Sequence, residues 1–520
     1  MMKKILLSVS LLMLGCVSSL GQPITSATVR QGQIQGFEKG GLGYFYAIPY
    51  AQAPVGELRF HEPVPMAPWE GVRKATKRGG VAPQLTLGDN PRMVRSSTED
   101  CLYVNVITPA KTPDEALPVL VWIHGGGFVE GDANNPQGDQ FARRGVVYVT
   151  ISYRTGPLGF LALPELSAES PHGVSGNYGL LDQVEALRWI HDNIAAFGGD
   201  PEKVTIMGES AGGLSVSVLC ASPLTKGLFR GAICQSGGFF TIPSEERIQN
   251  ITMSTLAGAE HRGERFLRDM GVSSVRELRL LPPEAWLERP GLDRDFWPCM
   301  DGYLIDGDPY ERYQRGDYND VDVILGTNSD EGSLFARPQS VEEYKAQLQD
   351  CFGIRYGKKL FKALPARDTL EAFLQSRKLA GLLTFGWPTF TWANLQRKTG
   401  NGNVYIYYFD EFEPGILPDI GIERFGAAHG SEALYAFGKT LENSRASDSA
   451  KKVSEAMISY WVNFTRNGDP NGEGLAAWPE YENGKRTVLL FRDGTDVIGL
   501  PERKVLKILD AYFRDRRRSL

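Results

Sequence analysis

Ser210 stands in the run Gly208, Glu209, Ser210, Ala211, Gly212, Gly213, directly after the apolar stretch Val204 to Met207. A serine flanked by glycines at the end of a strand can occupy a sharp, strained turn that lifts its hydroxyl clear of a sheet, where it can act as a nucleophile. In a chain with 58 glycines the pattern alone is weak, so the rest of the sequence has to decide. Serine attack at neutral pH needs a base, and six histidines are available. His61, His172, His191 and His261 fall in polar or helical contexts that read as surface, and His124 belongs to a glycine turn. His429 lies on the small-residue loop Gly426 to Gly430, after the apolar run Val404 to Phe409, and is the best candidate base.

Two further strand ends complete the constellation. Val119 to Ile123 runs into His124, Gly125, Gly126, Gly127, Phe128, whose free amides could hold a negative oxygen. Val321 to Leu325 runs into Asp330 and Glu331, either of which could accept the proton-bearing nitrogen of an imidazole. The chain order serine, acid, histidine is the order expected of α/β-hydrolases.

The elements that must position these groups follow from hydrophobic pattern. Short β-rich runs at Tyr44 to Ile48 and Leu102 to Ile107 read as an antiparallel N-terminal edge. From Leu117 onward, apolar runs at 119–123, 146–153, 204–207, 231–234, 321–325 and 404–409 alternate with helical stretches. Strands apolar on both faces require a sheet covered on both sides. The fold class is therefore α/β: a large, mostly parallel central sheet with an antiparallel N-terminal edge and helices on both faces. Pro243 to Trp297 and Pro338 to Gln396 read as helical insertions over the active edge. One catalytic domain, 22–520, is expected, since no Ser/Gly or Pro-rich linker divides the sequence.

Composition narrows the class further. The chain has 520 residues, 42% hydrophobic and 23% charged, so a large core is expected. A net charge of −6 argues against nucleic acid as a partner. The basic stretch Arg514 to Arg518 reads as a solvated end. Lys3 and Lys4 precede the apolar run Ile5 to Leu14, so residues 1–21 resemble a bacterial export signal too short for a permanent span. Two processing routes compete: Leu14, Gly15, Cys16 resembles a lipoprotein site with Cys16 acylated, while Ser19, Leu20, Gly21 would precede ordinary cleavage before Gln22. Either route implies export, to a secreted, periplasmic or lipid-anchored location.

The ordered motifs together resemble the type B carboxylesterase family, the group that includes cholinesterases and bacterial para-nitrobenzyl esterases. Beyond the runs at Ser210 and His124 they comprise Phe45 to Pro49, Leu58 to Phe60, Glu99 to Val106, Gly176 to Asp182, Gln235 to Gly237, Asp330 to Gly332, His429 to Glu432 and Asn467 to Asn471. The resemblance implies an α/β-hydrolase with Ser210 as nucleophile, Glu331 as acid and His429 as base. It also implies an oxyanion hole at the amides of Gly126, Gly127 and Ala211, and no metal or organic cofactor. Ser236 and Glu432 resemble residues that hold the catalytic loops, and Arg59 with Glu99 a structural ion pair. Glu209 either tunes the site's field or only shapes the turn.

Hydrolysis of small neutral carboxylic esters through an acyl-enzyme is the expected function. Amide, carbamate or thioester hydrolysis, or non-catalytic binding on the same fold, are the alternatives. Departures from the pattern bear on substrate. Ala82 stands near the position of a disulfide partner, so Cys101 should be a free, buried thiol, and Leu85 to Thr98 carries no aromatic residue to attract a quaternary ammonium. Choline esters are therefore poor candidates. Phe128, Phe239, Phe240, Phe296, Trp297, Phe385, Trp387 and Phe390 suggest an apolar pocket, with core packing expected for at least half of them.

Overall fold

The computed structural model describes residues 21–86, 92–135, 138–244, 252–287, 296–413, 425–482 and 484–519. Cys16 and all but the last residue of the candidate export segment lie outside them. Among the described residues no helix is long and apolar enough to cross a membrane.

Eleven strands form the central sheet: β1 (Phe37–Lys39), β2 (Leu42–Pro49), β3 (Tyr103–Thr108), β4 (Leu117–Ile123), β5 (Val147–Ile151), β6 (Gly199–Glu209), β7 (Gly231–Gln235), β8 (Asp322–Asn328), β9 (Val404–Phe409), β10 (Thr487–Phe491) and β11 (Thr495–Gly499). Their spatial order is β11-β10-β9-β8-β7-β6-β4-β5-β3-β2-β1. Strands β4 to β10 are mutually parallel. β1, β2 and β3 add an antiparallel edge at one side, as the early β-rich runs suggest. A second antiparallel edge, β11 on β10, closes the other side.

Alternation of side chains explains why these strands are apolar throughout. Val119, Val121 and Ile123 of β4 enter the core on one face, whereas Leu120 and Trp122 enter the core on the other. Helix α1 (Tyr178–Asn193) supplies Leu180, Val184, Leu187 and Ile190 to the first core. Helix α8 (Asp448–Asn467) supplies Met457, Trp461 and Phe464 to the second. Between them lie α2 (Ala211–Ala221), α3 (Leu256–Met270), α4 (Val341–Ala363), α5 (Thr369–Gly381), α6 (Trp387–Thr399) and α7 (Glu432–Ala436), followed by the C-terminal α9 (Arg503–Arg518). α3 and α4 to α6 occupy the two stretches expected to be helical insertions.

The basic end differs from the solvated tail expected. Arg514, Arg516 and Arg518 are exposed, but Arg517 folds inward over the Tyr310 ring, pairs with Asp308 and donates to the carbonyls of Phe240 and Thr241. The reason is the amphipathic winding of α9, which buries Leu509 and Phe513 and so carries Arg517, one turn beyond Phe513, to the protein side.

Candidate active site

Ser210 leaves the end of β6 at φ 57°, ψ −123° and caps the start of α2. Such backbone costs about 1–3 kcal/mol in a non-glycine residue and persists only where its surroundings impose it. Here the glycines impose it. A methyl on Gly208 would lie 2.4 Å from the Gly212 carbonyl, and one on Gly212 would lie 2.1 Å from the Ile123 oxygen. Gly213 is similarly pressed, 2.6 Å from the Gln235 oxygen. The turn is thus wedged between the ends of β4 and β7, which admit no side chain at these positions.

The other groups arrive from neighbouring strand ends. Ile123 pairs with Gly208, and Gln235 with both Glu209 and Gly326, so β4, β6, β7 and β8 end side by side. His429 enters on the loop before α7, which is tied to the acid loop by Asp330 N–H to the Ala427 carbonyl at 2.9 Å and Asn328 Nδ2 to the Ala428 carbonyl at 2.9 Å.

Within this cage His429 Nε2 is 2.8 Å from Ser210 Oγ, and its Nδ1 is 2.6 Å from Glu331 Oε2. The second Glu331 oxygen accepts from Ser236 Oγ and from the Asn328 N–H at 2.7 Å. Asp330, the other acid left open by the sequence, turns away and pairs with buried Arg377. Phe385 stacks on the His429 ring, centroids 4.5 Å apart and planes within 7°. It comes from a π-helical turn, Leu382–Gly386, inserted between α5 and α6.

Two more carboxyls approach the imidazole. Glu209 Oε1 is 3.4 Å from His429 Nε2, and Glu432 accepts from Asn328 Nδ2 and, at 3.3 Å, from Gln235 Nε2. Burial lowers the pKa of His429, but the charges of Glu209, Glu331 and Glu432 outweigh it and push it up to about 9. Burial pushes Glu209 up to about 7 despite the opposing imidazolium, and Glu432 up to about 8. A neutral Glu432 has an O–H to donate, and the buried, unpartnered Gln235 Oε1 provides an acceptor once that amide is turned over.

Gly126 and Gly127 have φ of +99° and +61°, which suit glycine, and their amides have no backbone acceptor among the described residues. Ala211 is the first residue of α2, so its N–H has no partner within the helix. His124 lies below them: burial lowers its pKa to about 4, its Nδ1 donates to the Gly125 carbonyl, and its ring stacks on Tyr153. It shapes the loop.

A family model described as the carboxylesterase family matches residues 24–505. The chain belongs to that family. This carboxylesterase is 34% identical over 537 residues to a protein of Anas platyrhynchos named fatty acyl-CoA hydrolase precursor, medium chain, covering 94% of this chain and 93% of that one. It is 33% identical over 502 residues to the para-nitrobenzyl esterase of Bacillus subtilis, covering 91% and 96% respectively. A solved PNB esterase structure superimposes with a TM-score of 0.77 at 32% identity, over 94% of this chain and all of the other. The protein is a carboxylic ester hydrolase of the α/β-hydrolase fold.

Arg59 and Glu99 form a two-pronged ion pair at 2.6 and 2.7 Å. Cys101 is free and buried. Of the eight aromatics, Phe128, Phe239 and Trp297 pack together beside the glycine turn and Phe385 covers the imidazole. Phe240, Phe296 and Trp387 pack against Tyr313, Phe266 and Phe513 in the core, and Phe390 is buried beneath the Arg486 guanidinium. Phe385 could be named from sequence but not aimed, because a π turn has no clear pattern. Asn328, which ties the acid, base and Glu432 together, was missed; its place at the end of an apolar strand was the available signal.

Proposed function

We propose that this carboxylesterase hydrolyses neutral carboxylic esters through an acyl-enzyme on Ser210. His429 takes the Ser210 proton as Oγ attacks the ester carbonyl, and Glu331 stabilises the imidazolium so formed. The amides of Gly126, Gly127 and Ala211 receive the tetrahedral oxygen, each worth about 3 kcal/mol by comparison with measured oxyanion donors. His429 then protonates the leaving alcohol, and water repeats the cycle to release the acid. The observation that carries this reading is the continuous chain of contacts from Ser210 Oγ through the two imidazole nitrogens to Glu331. Glu209, Ser236 and Glu432 act through the imidazole and the acid, by charge or by hydrogen bond.

The relative named as a fatty acyl-CoA hydrolase supports a second reading, cleavage of acyl thioesters by the same groups. A matched pair of substrates with one acyl chain, a para-nitrophenyl ester and a thioester, separates the two. Faster turnover of the ester upholds the first reading; preference for the thioester moves the assignment to the second.

Export is part of the same proposal, carried by the basic and apolar start of the chain. Mass analysis of the protein recovered from an expressing bacterium tests it: a chain starting at Gln22 marks secretion, a diacylated Cys16 marks anchoring, and an uncut Met1 refutes export.

A further inference from the structure

Glu130 stands three residues beyond Gly127, on the loop that carries the candidate oxyanion amides. The N–H groups of Val129 and Glu130 both reach the Gly126 carbonyl at 3.1 Å, which folds the loop back on itself. Glu130 Cγ consequently rests on Gly126, where a methyl would lie 2.9 Å from it. Gly125 faces the other way, with a methyl there 3.1 Å from Ser210 Cβ. These contacts keep Glu130 Cγ within about 13 Å of Ser210 Cβ. The far side of the loop is pinned by Gln84, which both donates to and accepts from the Gly131 backbone at 2.8 Å.

The side chain is half-buried, and burial raises its pKa with no charged neighbour opposing it. Among the described residues its carboxylate has no hydrogen bond and no ion pair. Three other acids held away from solvent pair with arginine: Glu99 with Arg59, Asp182 with Arg154 and Asp330 with Arg377. Neither of its oxygens is sealed from solvent, so the half-buried carboxylate is open to a partner from outside the fold. Its place beside Gly126 makes a ligand the natural partner.

Resting on the ester-hydrolase reading above, we propose that Glu130 is a counter-ion for substrate and extends the range of this enzyme from neutral esters to carboxylic esters that carry a protonated amine. An ammonium with N–H groups donates a charge-assisted hydrogen bond to the carboxylate. A quaternary ammonium has no such donor and would need the aromatic face that Leu85 to Thr98 lacks.

The test compares wild type with Glu130→Gln on two isosteric pairs. Para-nitrophenyl ε-aminocaproate against para-nitrophenyl heptanoate puts the cation on the acyl side. Meta-aminomethylphenyl butanoate against meta-ethylphenyl butanoate puts it on the alcohol side. In at least one pair Glu130→Gln lowers kcat/KM for the amine by about fivefold or more, while the neutral ester stays within about twofold. An amine-to-neutral ratio unchanged in both pairs overturns the proposal. Calorimetric binding of benzylammonium, which needs no turnover, is weakened by about fivefold or more in the variant if the proposal holds and is equal in both proteins if it fails. Failure to turn over any of the four esters refutes the ester-hydrolase reading, and the calorimetry still decides the role of Glu130.

Discussion

Asp330 and Glu331 are neighbours in the chain and serve opposite partners: Glu331 faces the His429 imidazole at 2.6 Å, and Asp330 pairs with the Arg377 guanidinium. Both lie just beyond β8, where Asp330 (φ −126°, ψ 45°) caps the 3-10 turn that Glu331 begins, and this break from extended backbone turns the two side chains to different partners. One acid therefore meets the imidazole, and the other holds α5 against the loop that follows β8.

That division predicts two different losses. Glu331→Gln should lower kcat by about 10⁴-fold, as expected when an imidazole loses the carboxylate that orients it. Asp330→Asn should instead destabilise the fold by about 3–5 kcal/mol, because it leaves a guanidinium only 3% exposed without its counter-charge. Chemical unfolding and steady-state kinetics on both variants check this; equal kinetic loss in the two would contradict it.

The pH profile follows from the charges around the base. Only unprotonated His429 can take the Ser210 proton, and the surrounding carboxylates hold its pKa near 9, so kcat/KM should climb with pH through the neutral range. Glu209 is the largest of the charges that oppose burial. Glu209→Gln should therefore shift the acid limb to lower pH. A limb that stays in place, or moves up, would remove Glu209 from this role.

Stability has its own pH signature. The ordinary values of 4.5 for Glu209 and Glu432 and 6.5 for His429 are all raised, to about 7, about 8 and about 9. In each window the native chain keeps a proton that the unfolded chain has lost, so stability from these groups falls as pH rises. The window runs from 4.5 to about 7 for Glu209, from 4.5 to about 8 for Glu432, and from 6.5 to about 9 for His429. Glu432→Gln removes one such window, so its melting temperature relative to wild type should rise steadily between pH 5 and 8 or so. A constant difference across that range would mean that Glu432 is already ionised in the native protein.

Much of this was legible in the sequence because strands of a doubly covered sheet are continuous apolar runs and their ends are marked by glycine. The runs at 119–123, 231–234, 321–325 and 404–409 locate β4, β7, β8 and β9 to within three residues, whereas β6 starts at Gly199, five residues before its run at 204–207. The same marks bring Ser210, Gly126, Gly127 and the pair Asp330 and Glu331 to attention, the small-residue loop after β9 adds His429, and Ser236 comes only from the family resemblance. Orientation was not legible. Residue type left Asp330 and Glu331 equivalent until a family resemblance separated them, and nothing local reports that Phe385 would lie flat on His429 or that Arg517 would turn inward. These depend on contacts between segments far apart in the chain, such as α5 against the acid loop and α9 against Tyr310. Glu130 carries no signal in the sequence, because a lone acid after a glycine turn has the pattern of a solvated one.

Covalent labelling asks whether Ser210 is the nucleophile. The protein is treated with a fluorophosphonate, digested, and its peptides weighed, with Ser210→Ala treated in parallel and both assayed on a para-nitrophenyl ester. One adduct is expected, on the peptide bearing Ser210, with none in the variant and a fall in its ester turnover of about 10⁶-fold. An adduct on another residue, or a Ser210→Ala protein that still turns over the ester at the wild-type rate, would contradict it.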